Sequence, residues 1–261
     1  MLNLTNINYS AYSDSIFGKG EYNPILKDVS LQLNEGEIVG IVGESGAGKT
    51  TLAKIISGIV KPDSGEIVFE GKTTKDIFDE VKIQILFQNS IELINPFRKV
   101  ENILNEVVRK YSLTNSKDKI IEMIELVGLR SDILTKVGSN LSGGERQRIG
   151  LIRLLAANPT LLIVDEPFSA QDIESQINLL KLLQKLNKDS GLSIVCISHD
   201  IQIISKFTDK LFVLKDGQII EEGITSEILT SPKHSYTKFL LKARDFELTY
   251  SNFTNLNKEL N

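Results

Sequence analysis

The 261-residue chain contains no tryptophan, one cysteine and two histidines. Because Cys196 is alone, it cannot form an internal disulfide, and the chain fits a reducing cytoplasm. Cys196 lies within the apolar run SIVCIS, which favours a buried position on a strand. His199 and His234 are too few to form a metal-carrying cluster of the chain's own.

Long apolar runs and an excess of basic residues are also absent. No stretch of roughly 18 or more apolar residues occurs, so we expect no membrane-spanning helix. The N-terminal MLNLTNINYS has no basic region followed by an apolar core, so we expect no signal peptide. The net charge of −4 and the pI near 5.4 argue against non-specific nucleic-acid binding, which normally needs a basic protein. The length suits one large domain, alone or with an inserted subdomain.

Short, continuous apolar runs predict strands buried on both faces of a parallel sheet. The runs are Ile38–Val42, Leu161–Val164 and Ser193–Ile197. A helical pattern at Lys49–Ser57 follows the first run, and another at Asn178–Leu186 lies between the second and third. This order of strand, helix and strand is typical of α/β proteins.

Other segments indicate antiparallel strands and a helical insertion. Val29–Leu33 and Glu66–Glu70 alternate in hydrophobicity, and Lys210–Glu222 predicts a hairpin that turns at Asp216-Gly217. Between about residues 89 and 140 the pattern becomes helical, for example at Lys119–Val127. We interpret that stretch as an inserted helical subdomain.

A glycine-rich segment follows the first apolar run and precedes the first helical pattern. It matches G-x-x-x-x-G-K-[ST], a loop in which glycines let successive N–H groups point at phosphate oxygens. Lys49 would reach the β- and γ-phosphates, the Thr50 hydroxyl would coordinate Mg²⁺, and the helix N-terminus would add its dipole. The sequence therefore predicts binding of ATP, or of GTP, by the consecutive residues Gly43, Glu44, Ser45, Gly46, Ala47, Gly48, Lys49, Thr50 and Thr51.

Two carboxylates, Asp165 and Glu166, end the apolar run LLIV before Pro167. Ligands of open α/β sheets bind at the carboxyl ends of strands. Asp165 is therefore placed to hold Mg²⁺ through water, and Glu166 to polarise an attacking water. Many strands end in solvated acidic residues, so the pair indicates a phosphoryl-transfer site only in combination with the phosphate loop.

A second glycine motif, LSGGERQR, precedes the helical run Ile149–Ala157. Ser142 and Glu145 form the pattern of a capping box. That pattern does not explain Gly143 and Gly144, because a glycine inside a helix costs up to about 1 kcal/mol. Close approach of the backbone to an anion explains them better.

Together, GESGAGKT, LSGGERQR and LLIVDEP resemble the motifs of ATP-binding cassette (ABC) proteins. The resemblance extends from about Leu2 to Arg244. It implies a phosphate-loop ATPase core with a mixed sheet, an antiparallel β subdomain and an inserted helical subdomain. We expect the ATPase domain to span residues 1–245, with the helical insertion at about 89–140, and residues 246–261 to form a C-terminal tail.

The resemblance also implies roles for single residues. Gln88 resembles the glutamine that contacts Mg²⁺ and water and senses the membrane subunits, although an ordinary loop amide is the alternative. His199 resembles the switch histidine that contacts the γ-phosphate; a structural histidine is its alternative. Ser169 to Asp172 (SAQD) resemble the segment usually written SALD, from which Gln171 departs. Tyr12 is our choice for stacking on adenine and Tyr9 the alternative; either could instead pack on the first strand.

ABC proteins act as head-to-tail dimers, which implies a shared site. ATP on the phosphate loop of one subunit would be covered by Ser142, Gly143, Gly144 and Glu145 of its partner. Without a membrane segment of its own, the chain would serve two transmembrane permease subunits at the cytoplasmic face of the cell (inner) membrane, as a peripheral protein. A second, related ABC ATPase is expected as the dimer partner, and an extracytoplasmic substrate-binding protein would take part indirectly. No nucleic acid is expected.

Three functions compete at this point: an importer ATPase, an exporter ATPase, and an ABC ATPase that acts on DNA or ribosomes. The stretch FQNS at 87–90 with INP at 94–96, and the stretch HSYTKFLL at 234–241, resemble oligopeptide, dipeptide and nickel importer ATPases. Peptide-importer ATPases often end in a cysteine-rich segment, which this chain lacks. That absence and the stretch at 88–96 favour nickel, or a nickel chelate, slightly over peptides.

Overall fold

A computed structural model describes residues 1–13, 21–73, 82–87, 94–113, 116–169 and 172–244. Gln88, Gln171 and the predicted tail at 246–261 lie outside the described residues. Within the described ranges, no helix is both long and apolar enough to cross a membrane.

The predicted parallel strands form the centre of a six-stranded sheet. Its order is β10-β9-β3-β8-β7-β6, with parallel neighbours except for β10, which pairs antiparallel with β9. Every residue of β3, β7 and β8 is buried, which confirms the interpretation of the apolar runs. The bounds are β3 Ile38–Val42, β6 Ile83–Leu86, β7 Leu161–Asp165, β8 Ser193–Ser198, β9 Lys210–Lys215 and β10 Gln218–Ile224.

A second, antiparallel sheet has the order β2-β1-β4-β5. It confirms the predicted antiparallel strands, but β2 is much longer than the alternating segment at 29–33. Its first residues are exposed and carry no alternation, so only their pairing with β1 makes them a strand. The bounds are β1 Leu2–Ser13, β2 Glu21–Leu33, β4 Ser64–Phe69 and β5 Lys72–Thr73.

Helices surround the central sheet. The described part of the predicted helical insertion holds α2, α3 and two short 3-10 turns, Ser131–Thr135 and Gly138–Asn140. The division into domains stays a prediction. The helices are α1 Lys49–Ile56, α2 Val100–Lys110, α3 Ser116–Leu126, α4 Gly143–Leu155, α5 Ile173–Ser190, α6 Ile201–Ile204, α7 Thr225–Thr230 and α8 Ser235–Arg244.

The central sheet separates two hydrophobic cores. Alternate residues of one strand enter different cores: Ile194 and Cys196 of β8 face the core shared with α2 to α5, while Val195 and Ile197 face the core shared with α1 and the antiparallel sheet. Strands with two buried faces need apolar residues at every position, which explains the continuous runs in the sequence. Burial also raises the pKa of the Cys196 thiol well above its usual value.

The predicted turn between β9 and β10 ties the central sheet to the antiparallel sheet. Gly217 adopts a φ of +80°, and a Cβ atom built there would lie 2.3 Å from the carbonyl oxygen of Ile25. The Gly217 carbonyl accepts from the N–H of Lys27 at 2.9 Å, and its N–H donates to the carbonyl of Ala47 at 3.2 Å. Only glycine satisfies both the left-handed conformation and this close approach.

Replacing Gly217 with alanine is therefore expected to lower the free energy of unfolding by about 2 kcal/mol or more, through left-handed strain and a backbone clash. Gly191 is the matched control, because its φ is +67° and no described atom lies within 4 Å of an added Cβ. Gly191→Ala should cost only the strain, about 1 kcal/mol. Urea unfolding measures both, and equal losses would contradict the clash.

Candidate functional site

The phosphate loop connects the carboxyl end of β3 to the start of α1. Gly48 is the N-cap of α1 and has a φ of +102°. A Cβ atom there would lie 2.8 Å from the side chain of Leu26, so the loop depends on glycine at this position. The first N–H groups of α1 are free of partners within the helix and form an anion-binding end.

Lys49 is buried within this loop. Its Nζ donates to the carbonyl oxygens of Gly43 at 2.7 Å and Glu44 at 2.9 Å. It also lies 4.0 Å from Oε1 of Glu166. Burial lowers the pKa of Lys49, while the charges of Glu166 and Asp165 act in the opposite direction. The ammonium group is thus held close to the loop by backbone carbonyls and a carboxylate.

Glu166 follows β7 and contacts both Lys49 of the phosphate loop and the neighbouring strand β8. Its backbone has a φ of +50°, uncommon for a residue with a side chain, and its N–H donates to the carbonyl of Ile197 at 2.9 Å. Both carboxylate oxygens lie 3.0 Å from Nδ1 of His199. The side chain of His199 is 64% exposed, so it contacts Glu166 while remaining accessible from solvent.

Asp165 is buried beside Thr50. Burial raises the pKa of Asp165, and a hydrogen bond from the Thr50 side chain acts in the opposite direction. Oδ1 of Asp165 has no hydrogen-bond partner among the described residues. A buried carboxylate oxygen without a partner is costly, and carboxylate and hydroxyl oxygens are the ligands that Mg²⁺ prefers. Asp165 and Thr50 therefore fit the predicted Mg²⁺ position.

A cavity of about 780 Å³ is lined by seven residues of the phosphate loop together with Glu166 and His199, whereas Asp165 and the motif at Ser142 to Glu145 are not among its described lining residues. Gly43 and Ala47 are not among the described lining residues, but Gly43 contributes a carbonyl to Lys49, and Ala47 is buried. Ile25 and Leu240 also line the cavity, although sequence reasoning did not select them. The described residues that line it are Ile25, Glu44, Ser45, Gly46, Gly48, Lys49, Thr50, Thr51, Glu166, Ser169, His199 and Leu240.

Tyr12 does not belong to the described residues that line the cavity. It is 55% exposed, and its ring lies 5.1 Å from that of Tyr22 across the β1–β2 pair. Tyr9 is partly buried against the core beneath the antiparallel sheet. Stacking of either tyrosine on adenine stays a prediction, as does the role of Gln88.

The second glycine motif forms the start of α4. Ser142 Oγ accepts from the N–H of Glu145 at 3.1 Å, and Glu145 Oε2 accepts from the N–H of Ser142 at 2.8 Å, so the capping box is present. Lys136 holds the other oxygen of Glu145 at 2.8 Å. Apart from the adjacent residues and the backbone of α4 itself, no described atom lies within 4 Å of a Cβ built at Gly143 or Gly144. Packing within the described chain therefore gives no reason for these glycines.

Comparison with known proteins gives a consistent result. Residues 26–169 match the family model described as ABC transporter. The chain is 38% identical to the oligopeptide transport ATP-binding protein OppF of Streptococcus mutans, over 87% of this chain and 78% of that protein. It is 36% identical to the dipeptide transport ATP-binding protein DppF of Haemophilus influenzae, over 90% of this chain and 75% of that protein.

Two solved structures are similar as well. One is a dimeric ATP-binding cassette in a post-hydrolysis state bound to ADP and Pi, with a TM-score of 0.74 and 29% identity, covering 86% of this chain and 99% of that one. The other is cbiO1 of Clostridium perfringens, part of the ABC transporter complex cbiONQ. Its TM-score is 0.76 at 26% identity, with 98% of each chain covered.

The geometry around Glu166 leads to a test of its role. Glu166→Gln keeps the shape of the side chain but removes the charge that would polarise water, so ATP should still bind while hydrolysis falls about 100-fold or more. Phosphate release and binding of a fluorescent ATP analogue measure the two effects. Glu101→Gln, an exposed carboxylate on α2, is the control and should change neither. Turnover at the wild-type rate in Glu166→Gln would refute the assignment.

Proposed function

The chain belongs to the ABC transporter family, and from that premise we propose that it is the ATP-hydrolysing subunit of an importer of oligopeptides or dipeptides. The contact of Glu166 with both Lys49 and His199, inside the nucleotide cavity, carries the ATPase assignment. Relatives named for oligopeptide and dipeptide transport, matched over most of their length, favour the importer class and peptides.

The site's own residues supply most of the chemistry of phosphoryl transfer. The loop N–H groups and Lys49 bind the phosphates, Glu166 orients the attacking water, and His199 adds a contact to the γ-phosphate. Thr50 and Asp165 would hold Mg²⁺, with Gln88 as a further predicted ligand. When bound, the metal ion supplies neutralisation of the charge on the phosphates.

A second, related ABC ATPase is proposed as the partner in a head-to-tail dimer. Gly143 and Gly144 are free of neighbours that would exclude a side chain, and they stand at a helix N-terminus suited to an anion. In the proposed dimer they cover the nucleotide of the partner, and the partner's equivalent motif covers this one. A similar cassette is dimeric with ADP and Pi bound.

Two permease subunits are the proposed membrane partners, which places the chain at the cytoplasmic face of the membrane. A groove of about 480 Å³ lies between α2, β6 and α4. Phe87 lines it and directly precedes Gln88, the residue expected to sense the membrane subunits. We therefore assign permease docking to this groove.

Purification of the tagged chain from its native membrane tests these partners. We expect two permeases and a second ABC ATPase to co-purify, and Lys110→Glu, a charge reversal in the groove, to lose the permeases while keeping ATP binding. Lys117→Glu, an exposed charge reversal on α3, is the matched control and should keep all partners. Recovery of ribosomes or DNA without membrane proteins would instead support the third class of ABC ATPase.

Uptake assays decide the transported substrate. In a strain that lacks this chain, uptake of a labelled dipeptide or oligopeptide should be lost, and the wild-type gene but not Glu166→Gln should restore it. Labelled nickel is the control substrate and should enter at the original rate. Loss of nickel uptake with intact peptide uptake would support the nickel interpretation that residues 88–96 favoured.

A further inference from the structure

The C-terminal helix α8 contacts the nucleotide site at two points. Tyr236 is 2% exposed, and its hydroxyl oxygen accepts a hydrogen bond from the N–H of Glu44 at 3.0 Å. Leu240, about one helical turn further on, lines the cavity. A segment some 190 residues from the phosphate loop in sequence therefore lies directly against it.

The peptide group fixed by Tyr236 also orients Lys49. The N–H of Glu44, which Tyr236 holds, shares its peptide group with the carbonyl of Gly43, and that carbonyl oxygen accepts from Nζ of Lys49 at 2.7 Å. The carbonyl oxygen of Glu44, in the next peptide group, accepts from Nζ of Lys49 at 2.9 Å and from the N–H of Ala47 at 3.2 Å. A shift of the loop at Glu44 would move an acceptor that holds Lys49. The backbone at Glu44 therefore connects the hydroxyl of Tyr236 to the ammonium group of Lys49, which is expected to bind phosphate.

Tyr236 is itself held firmly in place. Nζ of Lys215 lies 5.2 Å from the centre of its ring, and the ring of Phe239 lies 6.5 Å away. Burial raises the pKa of Tyr236 to about 12, so the hydroxyl is neutral throughout the physiological range. Its bond to the loop does not vary with pH in that range.

The start of α8 is anchored outside the cavity. The carboxylate of Glu221 on β10 accepts from the N–H groups of Lys233 at 2.7 Å and His234 at 3.0 Å. Nδ1 of His234 then accepts from the N–H of Tyr236 at 3.1 Å. These bonds fix the helix at the position from which Tyr236 reaches Glu44. The helix also packs against α6, which begins two residues after His199.

We propose that Tyr236 is a positioning residue for nucleotide binding: α8 holds the phosphate loop at Glu44 in the conformation that accepts ATP. The inference rests on the nucleotide site of the proposed function and is independent of the transported substrate. Without the hydroxyl, the loop of the free protein loses this constraint, and ATP must restore it on binding.

The test is Tyr236→Phe in the full chain, which removes one oxygen and keeps the ring. Loss of one partly buried hydrogen bond corresponds to about 1 kcal/mol, so the Kd for MgATP should rise about fivefold. In the assembled ATPase, KM for ATP should rise by a similar factor while kcat at saturating ATP stays unchanged. The unfolding midpoint without nucleotide is measured on the same samples.

Tyr111→Phe is the matched control. Tyr111 likewise has a lysine, Lys110, 5.2 Å from its ring centre, but it is less buried than Tyr236, lies at the end of α2 and is not among the described residues that line the nucleotide cavity. Its loss of a hydroxyl should leave the Kd unchanged. Glu221→Ala is the second variant, because it loosens the start of α8 without touching the cavity, and it should raise the Kd about two- to threefold.

A wild-type Kd in Tyr236→Phe would overturn the inference, even if the unfolding midpoint falls, because that result would mark a role in fold stability alone. A raised Kd in Tyr236→Phe but not in Tyr111→Phe supports it. Peptide uptake is a separate readout. If uptake fails to depend on this chain while Tyr236→Phe still weakens ATP binding, the proposed importer function falls and the positioning role stands.

Discussion

The parallel, in-register pairing of β3 with β8 and of β8 with β7 is the constraint on which the candidate site depends. Each strand ends where a functional segment begins: the phosphate loop after β3, Glu166 after β7 and His199 after β8. Because parallel strands end at one edge of the sheet, three segments far apart in sequence meet there. A shift of one residue in β7 would place Glu166 on the wrong face of the sheet. Because both faces of β7 are buried, packing in the two hydrophobic cores fixes the register of the strand and with it the position of Glu166.

Charge burial at this edge is tolerated because the groups compensate one another. Lys49 pairs with backbone carbonyls and with Glu166, and Asp165 has the hydroxyl of Thr50 for one oxygen. The other oxygen of Asp165 lacks a partner among the described residues, and Glu166 adopts an uncommon backbone conformation. Several destabilising features that occur close together are typical of a functional site.

Local pattern was sufficient to predict most of this arrangement. The apolar runs, the hairpin turn and the glycine motifs each carry their signal within about ten residues, and the structure contains all of them. The long-range contacts carried no such signal. Tyr236 and Leu240 reach the nucleotide site from α8, whose stretch HSYTKFLL indicated only a resemblance to importer ATPases. The exposed start of β2, which brings Ile25 to the cavity, has no alternation of hydrophobicity. No residue favoured peptides over nickel, and the proposal of a peptide substrate rests on the relatives that are named for peptide transport.

The two glycine motifs have different physical origins, and this difference bears on the proposed dimer. At Gly48 the chain's own packing and a left-handed backbone require glycine, so the phosphate loop is specified from within. At Gly143 and Gly144 the described chain imposes no such requirement, although the helix start is well ordered by Ser142, Glu145 and Lys136. A backbone without side chains, with no distant part of the described chain packed against it, would allow the close approach that the proposed dimer requires. The phosphate loop is thus specified by this chain's own packing, whereas in the proposed dimer the second glycine motif would complete the nucleotide site of the partner.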